Sequence, residues 1–270
     1  MPEILPNNRA QAVLTSLLAD YSAADIAVIT AIFLMGGLFK GTVGFGLPLA
    51  TMSVLPLVIS VEEALAINAV VLPLVNIRQI LHATSIRHTV SRLRFVLAGV
   101  VLGVAVGATF VTSVDNDLLV LFLGLFVIAF TALTAINPTI SIPKAREKGI
   151  GFGVGTLAGV IGALTTTNGP VFIMYLVGLK ADREFFLSAL GLLFILTGVL
   201  VSASFWAAGM ITLPRFLVAL WCVAPTLAAM AVGHRIGARA HAERFRTLVL
   251  AGLCILGVNL VLRGIEGFLP

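Results

Sequence analysis

Charge is scarce in this chain: only 11% of its 270 residues are Asp, Glu, Lys or Arg, whereas 59% are hydrophobic. Soluble domains carry about 25% charged residues, so composition excludes a water-soluble fold, as does the mean hydropathy of +1.11. Apolar stretches of roughly 20 residues, each able to cross about 30 Å of hydrocarbon, recur from end to end. The fold class that follows is all-α: one polytopic membrane domain over residues 1–270, with no room for a soluble unit.

Several chemistries are missing too. Cys222 and Cys254 each stand alone inside an apolar span, which leaves no disulfide, redox pair or thiolate metal site. The four histidines lie at or near basic loops without metal-ligand partners, and there is no Walker-type phosphate loop. No metal, cofactor or ATP hydrolysis is therefore expected. Gly153 and Gly155 echo part of a dinucleotide fingerprint, but no strand precedes them. No serine–histidine or paired-aspartate arrangement marks an intramembrane protease, so the chain is not read as an enzyme. The formal charge of +5 sits in short loops rather than on a basic stripe, which excludes nucleic acid and makes the lipid bilayer the partner. Met1 to Asp20 lacks the pattern of a removable signal and reads as a short interfacial helix.

What is present centres on residues 36–56. Lys40 lies inside an apolar segment and is followed by Gly41, Thr42, Gly44, Gly46 and Pro48. Glycine frees the backbone and proline removes a donor, so one helix is expected to stop near Gly41 and another to restart at Pro48. Residues 25–39 and 48–59 would then be rods of roughly 22 Å and 18 Å, a short broken pair. Spans of 63–82, 94–112 and 118–136 follow. After a polar break at 137–148 the order recurs. Gly149 to Leu164 leads to Thr165-Thr166-Thr167-Asn168-Gly169-Pro170, Val171 to Leu179 completes a second short pair, and spans of 185–206, 214–233 and 246–263 close the chain.

The halves, about 25–137 and 149–265, are thus repeats of five segments. Gly41-Thr42-Val43-Gly44 answers Gly159-Val160-Ile161-Gly162, Pro48 answers Pro170, and Arg94-Phe95 answers Arg215-Phe216. The loops at 83–94, 138–148, 180–184 and 234–246 hold twelve of the 17 Lys and Arg residues and should be cytoplasmic, which leaves both termini outside. An odd number of segments per half inverts the second repeat, an arrangement typical of secondary transporters that bind substrate where broken helices meet.

Two cations remain inside the membrane, Lys40 and Arg78. A buried charge needs water, a counter-charge or a substrate, and no membrane carboxylate lies near Lys40 in sequence, so a small anion is its simplest partner. Either side chain could instead snorkel to the cytoplasmic surface. A helix restarting at Pro170 would aim free N–H groups and its positive dipole end at the break, with Asn168 and Gly169 at its start. Thr165, Thr166 and Thr167 offer hydroxyl donors to an oxyanion or, alternatively, to their own backbone. Asn68, Asn76 and Gln79 add hydrogen-bonding capacity whose more frequent use is interhelical contact.

The Gly41-Thr42-Val43-Gly44-Phe45-Gly46 run, its counterpart from Gly159, and Asn168-Gly169-Pro170 leading to Tyr175-Leu176 resemble the TauE/SafE sulfite exporter family, also called TSUP. The resemblance implies a permease moving sulfite, thiosulfate, sulfonates or related anions, often outward. Phe45 and Leu47 interrupt the denser glycine cluster of that family, and a threonine run stands in the second break. The leading expectation is a secondary exporter of a small sulfur oxyanion in a bacterial inner membrane, with uniport and proton coupling both open. Uptake of an organic carboxylate and a non-transporting scaffold are the alternatives. Substrate, stoichiometry and oligomeric state are not readable from residues.

Overall fold

The computed structural model describes residues 20–81, 86–111, 113–136, 141–237 and 242–266, with backbone only at 78, 80, 81, 133–136 and 242–253. The expected interfacial helix before Asp20, together with His82, Arg239 and His241, lies outside the described residues, as do the side chains of Arg78, Arg244 and Arg246. Ten α-helices and no strand occur among the described residues: α1 (Ala23–Val43), α2 (Leu47–Val54), α3 (Val61–Leu81), α4 (Ile86–Val111), α5 (Asn116–Ile136), α6 (Glu147–Thr165), α7 (Gly169–Gly178), α8 (Arg183–Ala207), α9 (Leu213–Gly237) and α10 (Ala242–Glu266). Five, namely α1, α4, α6 with its preceding turn, α8 and α9, are long and apolar enough to cross a membrane.

Local chemistry sets the helix ends. Ser22 and Asp25 form a reciprocal capping box at the start of α1, and Ser60 with Glu63 does the same for α3. Asp182 accepts from the Phe185 N–H at the head of α8. α1 ends where Gly44 turns left-handed at φ 91° and returns its N–H to the Lys40 carbonyl. α6 ends at Thr166, also left-handed at φ 55°, with its N–H on the Gly162 carbonyl.

The expectation of two short helices in each pair is corrected here: only the second member is short. α1 has 21 residues and α6 has 19, about 31 and 28 Å of helix, whereas α2 and α7 have 8 and 10. Gly41 does not stop α1, because an interior glycine costs a helix only about 1 kcal/mol. The helices also reach into the predicted loops. α4 begins at Ile86 and carries Arg87, Arg92 and Arg94 in its first turns, since arginine is a good helix former whatever its hydropathy.

Packing pairs helices across the sequence. α1 lies along α9 and α4 along α6, while α3 packs on α8 and α5 on α10. Gly37 and Gly41 of α1 meet the backbones of Thr226 and Met230, and Gly233 and Gly237 of α9 meet Leu38 and Thr42. Gly99, Gly103 and Gly107 of α4 bear on Phe152, Thr156 and Val160, and Gly155 and Gly159 answer against Val96 and Val100. These four-residue glycine spacings let helix backbones touch where lipid offers no hydrophobic drive for association. Both glycine-lined pairs run parallel. α3 and α8 run antiparallel, with Gly198 against Pro73, Ser202 on Ala69 and Gln79 near Leu187. α5 and α10 are antiparallel as well, through Gly124 with Val261 and Gly264 with Leu121.

Candidate functional site

A pocket forms where both breaks meet the middle of α3 and α8. It is lined by Lys40, by Gly46 and Pro48 at the head of α2, by Ala69, Leu72 and Asn76 of α3, by Gly162 and residues 166–170, and by Phe194, Thr197, Gly198 and Val201 of α8. Left-handed Gly46, at φ 89°, lets the chain turn from α1 into α2 with Pro48 near its start. A Cβ at Gly46 would come within 2.6 Å of the Phe39 ring, so the turn is tight as well as left-handed.

Lys40 is 4% exposed. Its ammonium donates to Asn76 Oδ1 at 2.7 Å and lies 5.1 Å from the centre of the Phe194 ring. Gly41 meets Met230 and Thr42 meets Gly237, the last residue of α9, so Lys40 lies within about two turns of that helix end. With its ammonium buried and bonded to Asn76, Lys40 does not snorkel in this conformation. Among the described residues the ion pairs are Arg92 with Glu147 and Arg215 with Glu62, both at helix ends. Among the described residues no carboxylate pairs with Lys40.

Two helix starts open on this pocket, those of α2 and α7. Each presents N–H groups without intrahelical partners and a partial positive charge. Asn168 is 5% exposed, makes no side-chain cap bond, and borders the cavity. A buried ammonium, two positive helix ends and an amide with free capacity form a surrounding suited to an anion.

Of the residues singled out in sequence, Lys40, Gly46, Thr166, Thr167, Asn168 and Gly169 come together at the pocket. Gly41 and Thr42 face α9, and the Thr42 hydroxyl bonds the Phe39 carbonyl. Gly44 is the cap of α1 with open space around it. Thr165 is buried behind the pocket, donating to the Ile161 carbonyl and accepting from the Thr167 N–H. The hydroxyls of Thr166 and Thr167 both donate to the Thr165 carbonyl. All three threonines thus use their own backbone here. Arg78 belongs to α3, but its side chain lies outside the description. Sequence reasoning missed the α8 wall of Phe194, Thr197 and Val201, which a predominantly apolar helix does not advertise.

Ten of the sixteen lining residues fall into pairs 122 positions apart: Lys40 with Gly162, Gly46 with Asn168, Pro48 with Pro170, Leu72 with Phe194 and Asn76 with Gly198. The left-handed caps Gly44 and Thr166 keep the same separation.

No curated protein and no solved structure matches the chain. The model of the family described as Sulfite exporter TauE/SafE matches residues 28–260. With most of the chain covered, and with helices of membrane-spanning length around a buried polar pocket, the protein belongs to the TauE/SafE sulfite exporter family of membrane transporters.

Proposed function

We propose that the protein is a secondary transporter that exports a small sulfur-containing oxyanion, sulfite or a small organosulfonate, across a bacterial inner membrane. One observation carries the reading: a buried ammonium with no carboxylate partner among the described residues shares its pocket with the starts of two half-helices. Family membership supports transport and puts sulfite first among the anions to test. Lys40 attracts the charge, and the heads of α2 and α7, with Asn168, coordinate it. Gly41, Thr42, Gly44 and Thr165 shape the breaks around the pocket, and Arg78 adds positive charge to α3. The free space at the centre is close to that of one water molecule, so the pocket has to widen to take an anion of sulfite's size.

Movement is by an inverted repeat. Supporting this, each half gives its first helix to the fourth of the other, and the third helices and the fifth helices meet antiparallel, as an in-plane two-fold axis requires. The pocket lies between α3 and α8, and its residue pairs keep one separation. The basic starts of α4, α6 and α8 and the basic end of α9 gather on one face, read as cytoplasmic, which leaves both termini outside. An interior-negative potential of 100 mV favours anion exit by about 2.3 kcal/mol per charge, so export needs no ATP.

The test is flux of labelled sulfite, against sulfonates and carboxylates, in proteoliposomes under an imposed potential or pH gradient. Saturable sulfite flux that follows voltage supports the exporter, and flux that follows only the proton gradient keeps the substrate and changes the coupling. A carboxylate moving in place of sulfite removes the sulfur assignment. Flux of no anion returns the protein to a scaffold.

A further inference from the structure

Asn76 is fully buried, and its amide is held from both sides. Nδ2 donates to the Leu72 carbonyl of its own helix at 2.7 Å, and Oδ1 accepts from Lys40 at 2.7 Å. A carbonyl only accepts and an ammonium only donates, so this orientation of the amide is the one both partners allow. Lys40 therefore rests on a dipole rather than on a counter-charge. Both ion pairs among the described residues join an arginine to a glutamate at a helix end.

The second half of the chain has glycine where the first has this pair: Gly162 stands opposite Lys40 in the numbering and Gly198 opposite Asn76. Both glycines line the pocket. Gly162 is closed in by Asn168 and Thr197, and Gly198 by the Pro73 ring, at 2.9 Å or slightly more from where a Cβ would lie. A side chain at either position would have to displace these neighbours. Positive side-chain charge from these positions is supplied once, off centre, against α3.

We infer that Asn76 is the neutral place-holder for the transported anion: it positions the Lys40 ammonium in the empty pocket and yields it to the substrate's oxygen. This rests on the proposed anion site and adds to it a positioning residue that sets charge selectivity. Neutrality is the essential property. A carboxylate at 76 would keep the shape and the contact with Lys40 but would pair with the ammonium permanently and repel an incoming anion.

The experiment uses the full chain in detergent and in proteoliposomes, with sulfite as probe, reading substrate-induced thermal stabilisation together with KM and maximal flux. Asn76→Asp is expected to fold, to melt no lower than the unaltered protein, and to lose sulfite affinity by on the order of 100-fold. Asn76→Ala, which frees Lys40 but leaves it mispositioned, is expected to retain transport with KM raised about tenfold and maximal flux nearly kept. A purely structural role would make Asn76→Ala the worse variant on both readouts and leave near-isosteric Asn76→Asp close to normal. Sulfite binding by Asn76→Asp as tight as that of the unaltered protein overturns the place-holder role alone. If sulfite or another anion of the panel stabilises the unaltered protein more than a neutral solute does, the site reading stands; if no anion stabilises it, that reading fails and takes this inference with it.

Discussion

The Ser202 hydroxyl of α8 donates to the Ala69 carbonyl of α3 at 2.6 Å. Pro73, four residues on, has no N–H to give that carbonyl, and Gly198 lets its ring approach α8 closely. Ser202→Ala should therefore cost about 1 to 3 kcal/mol, because it strands a buried acceptor. Pro73→Ala should recover part of that loss in the double variant, by restoring the helical N–H. Urea or thermal unfolding of the four proteins in one detergent gives the cycle, and simple additivity would refute the coupling.

Lys40→Met should abolish anion flux while the melting temperature stays level or rises. Removing a buried charge that has no counter-charge relieves desolvation, while the lost hydrogen bond to Asn76 works in the opposite direction. Flux and melting are measured on the same preparation. Normal flux in folded Lys40→Met discards Lys40 as the anion's partner.

Glycine substitutions should separate by position. A Cβ at Gly103 would run into the Thr156 carbonyl of α6, so Gly103→Leu should cost about 3 kcal/mol or more, or prevent a monodisperse protein. Gly153 lies on the same helix pair with nothing within 4 Å of its Cβ position. Gly153→Ala should be neutral or stabilise by up to about 1 kcal/mol through helix propensity. Size-exclusion profiles and melting curves of both variants provide the check.

Tyr21, just before α1, donates its hydroxyl to Glu63 at 3.1 Å. Burial first, and the Glu63 carboxylate second, raise its phenol above the ordinary value of 10.0. The folded protein therefore keeps a proton that the unfolded chain releases. This contribution is complete below about pH 10 and declines as pH rises beyond it. Tyr21→Phe should show a shallower alkaline loss of stability than the unaltered protein, read from melting temperatures between neutral and strongly alkaline pH.

The breaks were legible in sequence because their chemistry is local. Gly44, Gly46 and Pro48, and Asn168-Gly169-Pro170, dictate caps and restarts wherever they occur, and the structure ends and begins helices there. Helix lengths were less legible, because hydropathy fades at Arg87 to Arg94 while helical propensity does not. Matching Gly41 to Gly159 is four residues, about one turn, away from the separation kept by the caps and the pocket pairs. Faces were the hardest to read: lipid and protein interior are both apolar, so Phe194 and Val201 carry no mark that tells pocket from bilayer. Asn76, noted only for its capacity to hydrogen-bond between helices, proved to hold the ammonium itself.

The crossed partnership of α1 with α9 and α4 with α6 bears on how the chain is made. α1 leaves the ribosome early, yet the helix that covers Gly37 and Gly41 is almost the last to be synthesised. Until α9 is made those glycines lack the backbone they pack against, whereas Lys40 has Asn76 of α3 and then Phe194 of α8 beside it. The residues that line the pocket, from Lys40 to Val201, are all made by the end of α8, so what α9 adds is the backing of α1 and not a wall of the pocket.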